Sequence, residues 1–247
     1  MLGRAKIWLV VVPWLVIAIY AAIAVAEDYG RFQQDKSQQI DGLLSLQEEL
    51  TSLLDSWEQQ GVTVFEQFRE AVERRSIEEQ MNKLEAKTRA AKDHANDLRH
   101  AQFFPRTVDA AYSVVDKLTE LAATVRSAFG AKVELIEVRQ ALKEAPARVQ
   151  QYRDRVLYWS SRDILNYYFA QEALAQSESN YRELLLLREQ LERELDLWRD
   201  QFDRQRLACA DSIEQMGDNA ALESETDYLS YLLARLRTFN PRRAAGF

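Results

Sequence analysis

The run from Ile7 to Ala26, IWLVVVPWLVIAIYAAIAVA, constrains the chain most, because it contains no charged side chain over twenty residues. At about 1.5 Å per helical residue, such a run reaches across the hydrocarbon core of a bilayer. Two basic residues, Arg4 and Lys6, precede the run, and two acidic residues follow it. This asymmetry favours a cytoplasmic N-terminus. We therefore expect a transmembrane signal anchor at residues 7–28, with the rest of the chain outside the cytoplasm.

Several residues of this run are typical of membrane helices. Trp8 and Tyr20 lie towards its two ends, where aromatic side chains meet the lipid headgroups. Pro13 removes one helical hydrogen bond, a defect that membrane helices tolerate. The residues assigned to the span include Ile7, Trp8, Pro13, Trp14, Tyr20 and Ala26.

Ala24-Val25-Ala26 offers an alternative, because small residues at these positions before Glu27 have the form of a signal-peptidase cleavage site. Cleavage after Ala26 would release a secreted helical protein. The uncleaved anchor is favoured, since the apolar run is longer than the roughly 7 to 15 residues usual for a signal peptide.

The rest of the chain has the composition of long helices with few turns. Only 7 glycines and 4 prolines interrupt 247 residues, while residues that favour helices, such as Leu, Ala, Glu, Gln and Arg, recur throughout. No segment alternates apolar and polar residues for long enough to predict a strand. The 32 basic and 39 acidic side chains give a net charge of -7, which disfavours nucleic acid or an anionic lipid surface as a partner of the domain as a whole.

Apolar residues recur at helical spacing along most of the chain. The clearest series is a heptad seam formed by Leu43, Leu46, Leu50, Leu53 and Trp57. Glycine and proline mark where helices are expected to end or kink. The expected breaks are Phe103-Phe104-Pro105, Ala145-Pro146, Gly217-Asp218-Asn219 and Asn240-Pro241, and Gly130 is a candidate kink or turn.

Long amphipathic segments joined by short turns predict an all-α fold, with one N-terminal transmembrane helix followed by an elongated antiparallel helical bundle with coiled-coil-like segments. An extended oligomeric coiled coil is the alternative, which the shifting register and the bulky Trp and Tyr side chains disfavour. The expected organisation is a short cytoplasmic tail at residues 1–6, the anchor at 7–28, the bundle at 29–240 and a flexible tail at 241–247.

Residue types that catalysis needs are scarce. His94 and His100 lie six residues apart on one predicted helix, about 240° apart around its axis, and so cannot ligate one metal ion together. The glycines form no phosphate-binding loop. Cys209, the only cysteine, is expected to be a small core residue. We expect no enzymatic activity, no cofactor and no metal site.

Two groups of residues are candidate partner contacts. The first is aromatic and consists of Tyr158, Trp159, Tyr167 and Tyr168, with Phe169 beside them. Aromatic residues at helical spacing usually pack in a core, and core packing is the favoured interpretation of this group. The second group is basic and consists of Arg235, Arg237, Arg242 and Arg243. Its simpler interpretation is that arginines complement the dipole of a last helical turn before a frayed tail.

The architecture and the missing catalytic residues indicate a non-enzymatic, membrane-anchored structural or adaptor subunit that docks other membrane or envelope proteins. A sensory or ligand-binding module that signals through a partner is the first alternative, and a secreted binding protein, cleaved after Ala26, is the second. A homo-oligomer is compatible with each of these. The extracytoplasmic part lacks disulfides and Asn-x-Ser/Thr glycosylation sites, which favours the bacterial inner membrane and periplasm.

Overall fold

The computed structural model is all-helical, and no strand occurs in the part of the chain that it describes. This confirms the all-α part of the predicted fold class. The described backbone covers residues 3–70, 73–98 and 103–238, and the described side chains are those of residues 20, 22–70, 73–98 and 103–233.

Five α-helices and one π-helical turn make up this structure. The helices are α1 (Gly3–Val62), α2 (Arg74–Asp97), α3 (Pro105–Trp159), α4 (Ile164–Ser224) and α5 (Tyr228–Thr238), and the π-helical turn, Thr63–Gln67, follows α1.

The residues predicted to cross a membrane belong to the first part of α1. The side chains of Ile7, Trp8, Pro13 and Trp14 fall outside the described residues, whereas Tyr20 and Ala26 are described and exposed. Among the side chains that are described, none of the helices presents a stretch long and apolar enough to cross a bilayer.

The chain forms two compact units. The first unit comprises Met1–Glu48, His94–Tyr112 and Glu214–Phe247, and the second comprises Glu49–Asp93 and Ser113–Ile213. Residues of the predicted heptad seam are buried in both units, with Leu43 and Leu46 in the first and Trp57 in the second. The seam is therefore confirmed as a core-forming face of α1.

The second unit is an antiparallel helical bundle in which side chains link each helix to its neighbours. Trp57 on α1 donates from Nε1 to Thr88 Oγ1 on α2 at 3.1 Å, in the buried core. Thr124 on α3 donates to Gln205 on α4 at 2.7 Å. Further links are the ion pairs from Arg126 to Glu85 and from Arg206 to Glu58.

Within this unit, α3 and α4 continue as an antiparallel hairpin. Lys117 on α3 contacts Ser212 on α4, and Arg153, further along α3, contacts Glu178, which lies earlier on α4. The two helices therefore run in opposite directions. Apolar side chains fill the seam between the two helices, with Leu135, Val138 and Leu191 buried at its centre. The pairing holds both helices in one register up to the turn that joins them.

The first unit is held together by contacts between residues far apart in sequence. Glu223 on α4 accepts hydrogen bonds from the backbone N–H groups of Arg106 and Thr107, at 2.9 and 3.1 Å, and so satisfies donors that the first turn of α3 leaves without a helical partner. Buried Lys36 donates to the carbonyl oxygens of Ser224 and Thr226. Five aromatic rings of this unit pack on one another, those of Tyr29, Phe32, Phe103, Tyr228 and Tyr231.

The structure confirms one predicted break and corrects others. α3 begins at Pro105, as the Phe103-Phe104-Pro105 segment predicted. The breaks predicted at Pro146 and at Gly217-Asp218-Asn219 are wrong, because α3 continues through Pro146 and α4 continues to Ser224. α3 also runs through Gly130 without a turn. Asn240-Pro241 lies outside the described residues.

Both errors have a packing explanation. Buried apolar side chains lie on each side of Pro146, at Val138 and Val149, so ending the helix there would forfeit more burial than one missing hydrogen bond costs. At Gly217, an added Cβ would lie 3.0 Å from Nε2 of Gln47 on α1. This glycine permits a close approach between helices and does not form a turn.

Candidate docking surface at the hairpin tip

The end of the α3–α4 hairpin exposes a cluster of large apolar side chains. We call residues 153–171 the hairpin tip. Six of its side chains are at least half exposed: Leu157 (71%), Tyr158 (50%), Ile164 (73%), Leu165 (63%), Tyr168 (61%) and Phe169 (60%). Single exposed apolar residues are ordinary, whereas several together mark a surface that binds something.

The turn at the tip is fixed by local hydrogen bonds. The N–H groups of Arg162 and Asp163 donate to the Trp159 carbonyl at 3.0 and 3.2 Å, which closes the last turn of α3. The Asp163 side chain then accepts from the N–H groups of Leu165 and Asn166, at 2.9 and 3.3 Å. Asp163 is therefore the N-cap of α4, a role in which aspartate is among the preferred residues.

Charge is sparse over the part of the tip beyond Arg155. From Val156 to Gln171 the only charged residues are Arg162 and Asp163, and the Asp163 carboxylate is engaged in capping α4. The Arg162 guanidinium lies 4.0 Å from the centre of the Tyr158 ring, a cation–π contact that holds both side chains in place. The Tyr158 ring in turn meets Trp159 edge-on at 4.8 Å.

The structure brings together the aromatic candidates that the sequence singled out. Tyr158, Trp159, Tyr167 and Tyr168 all lie at the tip, with Trp159 and Tyr167 half-buried. The interpretation of the group as core residues is wrong for Tyr158, Tyr168 and Phe169, because a two-helix hairpin has no third helix to cover them.

Of the basic candidates, Arg242 and Arg243 lie outside the described residues. Arg235 and Arg237 belong to α5, but their side chains are likewise outside the described residues.

Three exposed aliphatic residues of the tip, Leu157, Ile164 and Leu165, were not identified from the sequence. The missing signal is the turn itself, since Ser160-Ser161-Arg162-Asp163 contains neither glycine nor proline. Aspartate followed by an apolar helical segment is an N-cap pattern, and it would have placed Ile164 and Leu165 in an exposed first turn.

The described residues offer little for metal or thiol chemistry. No three metal-ligating side chains approach one another within the described part of the chain. Cys209 is fully buried, as predicted, and burial raises the pKa of its thiol to about 11. A thiol with so high a pKa is a poor nucleophile at neutral pH, because little thiolate is present.

Comparison with known proteins adds no functional information about this surface. No protein-family model, no curated protein and no solved structure matches the chain.

Proposed function

We propose that this chain is a non-enzymatic, membrane-anchored structural or adaptor subunit, and that the hairpin tip docks other envelope proteins. The observation that carries this proposal is the group of six large apolar side chains, each at least half exposed, at the end of one helical hairpin. Burying such a cluster against a partner removes apolar area from water and so favours association.

The composition of the tip suits a protein partner. Tyrosine, tryptophan and arginine are the residue types that most often dominate binding energy at protein interfaces, and the Tyr158 ring contacts both Trp159 and Arg162 here. Because the Arg162–Tyr158 contact already orders these side chains, binding loses less conformational freedom than it would with mobile side chains. The partner that fits is a protein with an apolar pocket.

The proposed anchor is the apolar run at residues 7–28, with the N-terminus in the cytoplasm and the helical units outside it. The absence of charge from Ile7 to Ala26 and the basic residues before the run support this assignment. Cleavage after Ala26 would instead give a secreted protein with the same docking surface.

Tip variants test the docking role. Replacing Leu165 and Phe169 together by serine removes apolar area from the tip. Leu186 and Leu197, which are 67% and 66% exposed on α4 outside the tip, give the matched control when replaced by serine. The measurement is affinity purification from membranes in a mild detergent, with mass spectrometry of the proteins that co-purify in stoichiometric amounts.

We expect the partner to be lost from the L165S/F169S chain and retained by the L186S/L197S chain. Both variants should keep the wild-type circular dichroism spectrum and melting temperature, since all four side chains are exposed. Equal recovery of the partner by the two variants would rule out the tip as the docking surface.

The sensory or ligand-binding alternative has one observation in its favour. The second unit contains an open groove of about 920 Å³, with charged side chains along both walls, and small-molecule sites are typically clefts of roughly 300 to 1,000 Å³.

A further inference from the structure

This groove opens between the segment that follows α1 and one face of α3. The α3 wall carries Lys132, Ile136, Arg139 and Lys143, spaced so that they recur on one side of the helix. The opposite wall is formed by residues 66–70, which include the buried ring of Phe68 and the side chain of Arg69.

Most carboxylates that line the groove are already paired with cations that lie outside its lining. Glu66 pairs with Arg199 at 2.6 Å. Glu137 pairs with Arg74 at 3.7 Å, and Glu144 pairs with Arg148 at 2.7 Å. Of the carboxylates that line the groove in the described part of the chain, only that of Glu70 belongs to none of these ion pairs.

Fewer of the cations that line the groove than of its carboxylates are in ion pairs. Arg139 pairs with Glu192 at 2.9 Å, a residue that does not line this groove. Arg69, Lys132 and Lys143 take part in no ion pair within the described residues. Four cations and four carboxylates therefore line the groove, and three of the cations, against one of the carboxylates, have no ion-pair partner in the described structure.

Lys132 is the least exposed of these three cations. It is partly buried, and its Nζ donates to the carbonyl oxygen of Phe65 at 3.1 Å. Burial lowers the pKa of Lys132, and the nearby guanidinium groups of Arg139, Arg199 and Arg69 lower the pKa further. A backbone carbonyl thus solvates the ammonium group, while every charged group that shifts its pKa is another cation.

We propose that this groove binds a small multivalent organic anion. Its phosphate or carboxylate oxygens would lie among Arg69, Lys132 and Lys143, and its less polar part would lie against Ile136. Arginine and lysine side chains form charge-assisted hydrogen bonds with such oxygens, and these bonds are about twice as strong as neutral ones. The site is independent of the docking role of the hairpin tip.

Isothermal titration calorimetry of the full chain, in a neutral detergent and at constant ionic strength, tests the proposal by measuring the affinity and stoichiometry of anion binding. The probes are pyrophosphate, citrate and water-soluble dihexanoyl phosphatidate, with acetate as the monovalent reference. We expect at least one multivalent probe to bind with a stoichiometry of about one and more tightly than acetate. Preference for pyrophosphate indicates a soluble phosphate ligand, preference for citrate a polycarboxylate, and preference for the phosphatidate a lipid headgroup.

Three variants locate the site. Arg69→Gln and Lys143→Gln each remove one groove cation, and Arg182→Gln removes an exposed cation of α4 outside the groove. We expect the Kd to rise about tenfold or more in each groove variant, the effect of losing one hydrogen bond between charged groups. The R182Q chain should keep the wild-type Kd.

Two results would overturn the proposal. One is that no multivalent probe binds better than acetate. The other is equal affinity in the R69Q, K143Q and R182Q chains, which would mean that the anion binds elsewhere. Neither result bears on the hairpin tip, whose variants are tested by recovery of a partner protein.

Discussion

At the residue scale, two glycines within long helical segments have opposite surroundings. An added Cβ at Gly61 would lie 2.4 Å from two atoms of the Phe202 ring, which is itself buried, whereas an added Cβ at Gly130 would meet nothing within 4 Å. Glycine in a helix ordinarily costs about 0.5 to 1 kcal/mol relative to alanine. At Gly61 this cost is outweighed by the close approach of α1 and α4.

The two alanine substitutions should therefore act in opposite directions. We expect Gly130→Ala to raise the free energy of unfolding by about 0.5 to 1 kcal/mol. Gly61→Ala should lower it by about 1 to 3 kcal/mol, because the packed ring of Phe202 must move. Urea denaturation followed by circular dichroism measures both. A stabilising effect of Gly61→Ala would contradict the contact with Phe202.

Cys209 gives a prediction about pH. Burial raises the pKa of its thiol first, Glu120 raises it further, and Lys117 opposes the shift, with a resulting pKa of about 11 against an ordinary value of 9.0. The folded chain therefore keeps its proton at a pH where the unfolded chain loses it. This contribution to stability is fully present below pH 9.0 and is lost as pH rises towards about 11.

Alkylation of Cys209 measures this effect. At pH 8 we expect iodoacetamide to modify the thiol of the native protein far more slowly than that of the urea-unfolded chain, because both access and thiolate are lacking. The thermal midpoint should also fall between pH 9 and 11 by more in the wild type than in a Cys209→Ala variant. Equal alkylation rates in the two states would show that the thiol is not buried.

At the element scale, the cap of α4 is the most specific local feature. Asp163 accepts from the N–H groups of Leu165 and Asn166, and loss of such a cap costs about 0.5 to 2 kcal/mol. We expect Asp163→Ala to increase hydrogen exchange in the first turn of α4. The control is Asp154→Ala, which removes an exposed carboxylate within α3 that accepts a hydrogen bond from the Gln150 side chain. Similar exchange in the two variants would contradict the capping role.

Whether a predicted helix end is correct depends on whether local sequence preference and tertiary packing agree at that position. Proline after two phenylalanines ends one helix and begins α3, since local sterics and packing agree there. At Pro146 and Gly217 local preference and packing disagree, and packing decides. The turn at residues 160–163 depends on a side-chain cap, and single-sequence periodicity carries no signal for it because apolar spacing continues on both sides.

At the scale of the whole molecule, helix content and the buried face of α1 follow from composition and spacing alone. Leu50 and Trp57, for example, are fully buried at positions that the heptad seam predicted. The exposed side chains of the hairpin tip could not be predicted in this way, because the exposure of residues 157–169 depends on which other helices end before the α3–α4 hairpin does. That property belongs to the assembled fold and not to any segment of sequence.

The proposed anchor also makes a prediction for the whole chain. If residues 7–28 hold it in a bilayer, alkaline carbonate washing should leave the chain in the membrane pellet, and mass spectrometry should detect its peptide before Ala26. Replacing Val16 and Ile17 by arginine should release the chain from the membrane pellet, because charge at the centre of a span is costly. A washed-out wild-type chain that begins at Glu27 would replace the anchor with a cleaved leader.

The first unit combines segments that are far apart in the sequence, and this has a consequence for synthesis on the ribosome. Lys36 and Phe32 find their partners at Ser224, Thr226, Tyr228 and Tyr231, whereas the second unit needs nothing beyond Ile213. At translation rates of about 5 to 20 residues per second, the 190 positions that separate Lys36 from Thr226 take roughly 10 to 40 s to make. Lys36 and Phe32 thus stay without these partners for that time, and a chain stalled before Glu214 would contain every residue of the second unit while these contacts of the first unit remain unmade.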